Sequence, residues 1–456
     1  MLSRHTRYTT HERIGFTPFE TAVAMNHTLL LTVLMAGPTD RESFRLFNKR
    51  QSRPDVVIIG AGPSGLAVAR ELEHQHGISA LVVERAAAPA ISWRTRYDNF
   101  RLNTNGFLSH LPGQRIPLTA GRWPTKEDMV RYFDRYVRLQ NIRLQLQCEV
   151  NRIDRAPGGW LIDTSSGEIR TPAIVLATGR YHTPIVPPWP GLDHFSGELV
   201  HSGDFSNAWP FCGRDVLVVG AGNSAADIAV QLANCGARKV WLSVRTPPHL
   251  VRRAIGPIPS DLFLELFARV PARIIDPPTA RLNRLLFGDL SVYGFHRPPL
   301  GLKATVEQRG RIPTLADELV DAVRGGRVEV VAAVAAAESD RVVLADGTAV
   351  TPEVIVAATG FSTDLDGLVG HLGVLDEHGS PRGGFASNLG DGMFAIGYGI
   401  PPNGPLRAIR LAATPLARQV ASYLATQRLG ASTSHCTKVE GNQWRYSPQS
   451  GSSTAV

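Results

Sequence analysis

The chain has 456 residues, 43% hydrophobic and 19% charged, which is ordinary usage for a folded protein of two or three domains and excludes a disordered core. Its net charge of +8 comes from 48 basic against 40 acidic residues with no dense lysine or arginine block, so it favours anionic ligands without the footprint of a nucleic-acid binder. Cysteines at 148, 212, 235 and 436 show neither CxxC nor metal-ligand spacing, which excludes a disulfide framework and leaves no metal site to expect.

Residues 1–53 precede the first regular element and are read as an N-terminal extension, with Met25 and Met35 as later possible starts. Their apolar stretch, HTLLLTVLMAG at 27–37, falls short of the roughly 20 residues that a membrane helix needs. As a signal-peptide core it would have an unusually long leading segment containing Glu12 and Glu20, so a cytoplasmic location is expected.

The first element is a strand running into a glycine loop, VVIIGAGPSGLA at 56–67. In such a dinucleotide-binding fingerprint the first glycine permits the sharp turn, the second lets backbone approach a pyrophosphate, and the third lets the helix pack close to the strand. Gly60, Gly62 and Gly65 hold these positions, with Pro63 and Ser64 opening the helix, whose N-terminal amides favour phosphate. The next strand, LVVER at 81–85, ends in Glu84 at about the distance where an acid accepts from a ribose hydroxyl, with Arg85 beside it. The strand IVLATG at 174–179, ending in Thr178 and Gly179, closes this unit.

A second fingerprint follows at 216–227, VLVVGAGNSAAD, with Gly220, Gly222 and Ala225 in the three roles and Asn223 and Ser224 at the helix start. Two fingerprints in one chain imply two nucleotide cofactors. The strand after this one, VWLSVR at 240–245, ends in Arg245 with no acid nearby, which suits a 2′-phosphate and predicts NADPH over NADH; a solvated arginine is the alternative. Residues 246–312 are too long for a loop, and 261–290 places leucine, phenylalanine and arginine at helical spacing broken by prolines. Two amphipathic helices covering the domain are expected, with a lid, an apolar access route or peripheral contact with a membrane surface as the sharper alternatives. The strand VIVAATG at 354–360 closes the second unit, and GMFAIGYG at 392–399 marks a return to the first. A final helix spans about Pro405 to Thr426, and from about 429 the Ser/Thr/Gly-rich end reads as a disordered tail.

The expected fold is therefore α/β, two Rossmann-like domains with the second inserted into the first. The division is 54–212 and 363–428 for one domain, 213–362 for the other with a helical insertion at 246–312, and 429–456 for the tail.

Between the two fingerprints, FSGELVHSGDF at 195–205 matches the FxGxxxHxxx(F/Y) signature of flavin-containing monooxygenases. The resemblance extends through WRTRYDNFRLNTNGFLSHLPG at 93–113, WPTKEDMVRYFDRY at 123–136 and GDLSVYGFHRPPLG at 288–301, and it covers about 54–427. These segments look most like the YUCCA-type branch and its bacterial relatives. Phe205 is not followed by Trp-Pro, unlike the Baeyer–Villiger version of the motif.

The resemblance implies FAD on the first unit, NADPH on the second and molecular oxygen as co-substrate. Flavin reduced by NADPH would form a C4a-(hydro)peroxide that oxygenates a small organic substrate, by oxidative decarboxylation of a 2-oxo acid such as indole-3-pyruvate or by N- or S-oxygenation. By the same resemblance Ser64 and Glu84 hold the FAD phosphate and ribose, Trp93 packs near the flavin, Val150 offers backbone to the adenine, and Asn223 and Ser224 meet NADP phosphates. Asn105, in LNTNG, aligns with an asparagine beside the oxygenated flavin, although a residue followed by Gly106 is equally a turn former. His201 is read as ordering the linker between the nucleotide domains in preference to acid–base work. An NADPH oxidase or flavin reductase, and a non-catalytic flavoprotein, remain the other two classes at this stage.

Overall fold

The computed structural model describes residues 54–267, 269–401 and 404–436. The N-terminal extension and most of the expected tail lie outside these residues.

In chain order the principal strands are β1 (Val56–Ile59), β2 (Ala80–Val83), β3 (Leu144–Gln145), β4 (Ala173–Leu176), β5 (Glu198–His201), β6 (Asp215–Val219), β7 (Lys239–Ser243), β8 (Glu329–Val331), β9 (Val354–Ala357), β10 (Ala386–Gly390) and β11 (Met393–Ile396). The helices are α1 (Pro63–His76), α2 (Lys126–Leu139), α3 (Asn223–Cys235), α4 (Ser260–Leu266), α5 (Ala272–Phe287), α6 (Leu302–Arg309), α7 (Asp317–Arg324) and α8 (Pro405–Cys436).

Two sheets organise them. The first has the order β10-β11-β4-β1-β2-β3, parallel except for the β10–β11 pair. The second is wholly parallel, in the order β8-β7-β6-β9-β5. The central strands carry continuous apolar runs because a parallel strand is covered on both faces, and Val56–Ile59 and Val216–Val219 are accordingly buried, with Asp215 at the half-buried start of β6. All of the second sheet's strands fall between β4 and β10, so the second Rossmann-like unit is inserted into the first. The first sheet is resumed by β11, which pairs with β4.

The second sheet takes its edge strand β5 from 198–201, ahead of the division expected at 212/213. The signature histidine thus lies in the second sheet. A strand of four residues pairing with a partner more than 150 positions later leaves no local mark of which sheet it joins.

Helix boundaries follow local chemistry. Proline at the first turn of α1 gives up no needed amide hydrogen, and Gly77, left-handed at φ 62°, stops the helix by donating to the Glu73 carbonyl. Thr125 and Asp128 form a reciprocal capping box at the start of α2. Helix α8 lies on α1, where the buried Glu71 accepts from Thr414 at 2.6 Å and pairs with Arg70.

Two helical expectations need correction. Helix α8 continues to Cys436, past Thr426 and into the stretch read as tail, because neither proline nor a left-handed glycine interrupts its i→i−4 bonding there. In the insertion, the chain does not break at Pro277 and Pro278, which sit inside α5; Pro271 precedes its first turn instead. Both internal prolines are exposed, as are Arg273 and Ile274, whose carbonyls they leave without an i→i−4 donor. The insertion comprises α4, α5, α6 and a short hairpin pairing 254–255 with 258–259. No helix among the described residues is long and apolar enough to cross a membrane.

Candidate functional site

The first glycine loop joins β1 to α1, and its three glycines have three separate causes. Gly60 has φ 104°, and a Cβ there would meet the Ala177 carbonyl oxygen at 2.6 Å. A Cβ on Gly65 would lie 2.1 Å from the Gly60 carbonyl oxygen. Gly62 is extended at φ −73° and ψ 175°, and a Cβ there would meet nothing within 4 Å. The protein itself therefore demands glycine at 60 and 65, whereas no protein atom occupies the open side of Gly62.

That side belongs to a cleft of about 400 Å³ lined by Gly60, Gly62, Glu84, Arg85, Val150 and Thr178, among others. Glu84 is buried, and its two carboxylate oxygens accept from the backbone amides of Ala61 (2.8 Å) and Ala86 (2.9 Å), which fixes the acid at the cleft wall. A carboxylate oxygen has a further lone pair, so a ribose hydroxyl fits the remaining capacity. Thr178 is held by Tyr398, whose hydroxyl accepts from the Thr178 amide at 3.2 Å and lies 2.8 Å from its hydroxyl. Burial pushes the Tyr398 phenol up to about 12. Gly179, at φ 84°, continues the turn with open space on its Cβ side.

Pro63 occupies the first turn of α1, and Ser64 is buried against Gly397, where a Cβ would come within 2.5 Å of the Ser64 hydroxyl. Trp93 does not line the cleft; it packs on Phe133 and Phe100 at 5.3 and 5.9 Å and touches the cores beneath both sheets. The sequence reading missed the opposite wall, Thr363–Leu365 with Gly367 and Leu368, and also His182. The one local sign was its place directly after the closing strand of the second unit.

The second loop repeats the arrangement. Gly220 has φ 146° and lies where a Cβ would meet the Ala358 carbonyl oxygen at 2.5 Å, while a Cβ on Gly222 meets nothing within 4 Å. Ala225 is fully buried, so the third position here accommodates one methyl. Ser224 follows Asn223 on the first turn of α3.

The Asn223 side chain is differently employed from the phosphate contact expected for it. Its Oδ1 accepts from the Leu315 amide at 2.8 Å and its Nδ2 donates to the Pro313 carbonyl at 3.3 Å, while the Thr314 hydroxyl donates to the Ala221 carbonyl at 2.7 Å. The asparagine thus pins residues 313–315 against the loop. Arg245 is exposed two residues past the end of β7.

His201 ends β5 and is buried. Its Nδ1 accepts from the Gly203 amide at 3.0 Å, which places the proton on Nε2, 3.0 Å from the Gly360 carbonyl. Its ring stands edge-on to Phe361 at 4.8 Å, and burial lowers its pKa. Both nitrogens are committed to backbone at the junction of β5 with the turn after β9, an arrangement suited to ordering the chain.

Asn105 is 4% exposed. Its backbone amide and its Nδ2 both donate to Asp261 Oδ2, at 2.9 and 2.8 Å, and its Oδ1 accepts from the Leu108 amide at 3.1 Å. It is therefore a turn former whose amide also faces a carboxylate from the insertion. Tyr97 donates to the half-buried Asp227, whose pKa desolvation raises. These two residues, with Arg101, Thr125, Arg253 and Asp317, help to line a polar cavity of about 590 Å³.

A family model described as "Pyridine nucleotide-disulphide oxidoreductase" matches residues 57–254. Within that stretch the cysteines form no CxxC pair, and Cys148, Cys212 and Cys235 are free thiols. Among curated proteins, the chain is 31% identical over 353 residues to "Probable indole-3-pyruvate monooxygenase YUCCA9" of Arabidopsis thaliana, covering 75% of this chain and 83% of that one. It is 30% identical over 316 residues to "Indole-3-pyruvate monooxygenase YUCCA1" of Oryza sativa subsp. japonica, covering 68% and 78%. Among solved structures, the fold is similar to a flavin-containing monooxygenase from Stenotrophomonas maltophilia, with a TM-score of 0.64 at 22% identity over 81% of this chain and 98% of that one.

Proposed function

Because the chain belongs to the YUCCA-type flavin-containing monooxygenases, enzymes that use FAD, NADPH and molecular oxygen, we propose that it oxidatively decarboxylates a small 2-oxo acid of the aryl pyruvate class. The observation that carries the two-cofactor assignment is the pair of open glycines. Gly62 and Gly222 each face free space at a helix N-terminus, while their neighbours Gly60, Gly65 and Gly220 are forced by backbone contacts.

In this reading the unit built on the first sheet holds FAD, and the inserted unit built on the second sheet, its edge strand β5 included, holds NADPH. Pro63, Ser64 and Gly65 present the start of α1 to the FAD pyrophosphate, Glu84 takes the ribose, Arg85 and Val150 border the adenine, and Thr178 and Gly179 form the cleft edge. The backbone of Gly222, Asn223 and Ser224 takes the NADPH pyrophosphate. Bound FAD supplies hydride acceptance and oxygen activation; the chain's part is to bind, orient and exclude water. Asn105 is the candidate catalytic side chain because its amide retains one N–H beyond those already bonded. The expected location is the cytoplasm.

Arg245 is assigned to the 2′-phosphate. One charge-assisted hydrogen bond contributes about 1.5–3 kcal/mol, so Arg245→Ala should weaken NADPH roughly 10- to 100-fold and leave NADH nearly unaffected. Anaerobic reduction titrations with both nucleotides check this, and an unchanged preference for NADPH removes the assignment.

The substrate class is tested by supplying aryl pyruvates, amines and thioethers and measuring product formed per NADPH oxidised. Carbon dioxide release with an aryl pyruvate supports decarboxylation. Oxygenated amine or thioether without it transfers the assignment to N- or S-oxygenation, and hydrogen peroxide as the sole product with every compound points to an NADPH oxidase.

A further inference from the structure

The loop that carries Asn105 is gripped by the insertion at both ends. At one end Arg253 Nη1 donates to the Leu102 carbonyl at 3.0 Å, and its guanidinium lies over Trp123 at 5.8 Å. At the other end a single oxygen of Asp261, on the first turn of α4, accepts both the backbone and side-chain N–H of Asn105. The Leu108 amide occupies Asn105 Oδ1, so the two faces of the side-chain amide are distinguished and a flip is excluded. Arg253 is itself anchored, its backbone amide donating to Asp317 at 2.7 Å.

We propose that Asp261 is a positioning residue: it fixes the orientation of the Asn105 amide, and so makes the insertion part of the oxygen-handling site. The inference rests on the reading of Asn105 as the catalytic side chain. Without Asp261 two buried donors of Asn105 lose their acceptor, and the side-chain amide is held only through the Leu108 bond to its Oδ1. In the proposed role the Asn105 amide acts on the reaction with oxygen and not on flavin reduction, so the two steps separate the effects.

The test uses the holoenzyme with NADPH and air as the only reactants, reading hydrogen peroxide release beside the anaerobic rate of flavin reduction. Asp261→Ala should raise peroxide release roughly three- to tenfold at an unchanged reduction rate, and Asp261→Asn, which keeps the acceptor oxygen, should stay within about twofold of the parent. Asn105→Ala should show the same or a larger increase, and adding Asp261→Ala to it should change nothing further, because the aspartate acts through the asparagine. If Asp261→Ala is not obtained with flavin, Asp261→Ser, too short to reach both donors, takes its place. Parental peroxide release in the Asp261 variant beside a raised release in Asn105→Ala overturns the proposal alone, as do multiplying effects in the double variant. Parental behaviour of Asn105→Ala overturns the Asn105 reading and the proposal with it.

Discussion

Gly62→Ala leaves the apoprotein folded and abolishes flavin retention. The native φ and ψ at this position, −73° and 175°, are open to alanine, and nothing lies within 4 Å of the added methyl. Replacing glycine where alanine fits stabilises the fold by about 0.4–1 kcal/mol through the unfolded chain, so the melting temperature of the apoprotein should hold or rise slightly. The methyl stands where pyrophosphate must approach backbone amides. Losing two charge-assisted hydrogen bonds of about 1.5–3 kcal/mol each weakens FAD by roughly 10²- to 10⁴-fold. Flavin absorbance per chain after purification and the melting curve of the apoprotein check both halves. Stoichiometric flavin in Gly62→Ala contradicts the assignment of this cleft. Gly65 is the contrast, since a methyl there collides with the Gly60 carbonyl and the backbone itself must move.

The same reasoning at the second loop predicts a functional separation. Gly222 is also extended, at φ −88° and ψ 179°, and is also open on its Cβ side. Gly222→Ala should purify with a full complement of FAD and reduce only when NADPH is raised by roughly 10²-fold or more, while dithionite reduces it normally. Rapid-reaction reduction across NADPH concentrations checks this. Normal half-saturation would move the nicotinamide nucleotide to some other surface.

The pair of variants also shows which parts of the protein the residues declare locally. A strand, a glycine turn and a helix start lie within a dozen positions, and the positive φ of Gly60 and Gly220 is a demand of the turn itself. Both fingerprints, Glu84 and the interrupted topology could therefore be read without coordinates. Contacts between distant segments could not. Asn223 gives its side chain to residues 313–315, about 90 positions away, and nothing in NSAAD announces that partner. Asp261 reaches Asn105 across 156 positions from within a segment whose composition signals only amphipathic helix. The sheet to which β5 belongs, the proline-containing α5 and the extra turns of α8 were hidden for related reasons. Strand partnership is set by tertiary packing, and a helix ends only where a stop residue or lost packing ends it.

In the proposed reaction NADPH reduces an FAD held by the same chain, and the reduced flavin then handles oxygen. The purified flavoprotein, reduced anaerobically by NADPH and separately by NADH and then mixed with oxygen while the near-ultraviolet and visible spectrum is recorded, tests this most directly. The expected result is markedly faster reduction by NADPH, followed by a long-lived species distinct from both reduced and oxidised flavin. Equal reduction by both nucleotides, with direct return to oxidised flavin and stoichiometric hydrogen peroxide even beside every compound of the substrate panel, would contradict it.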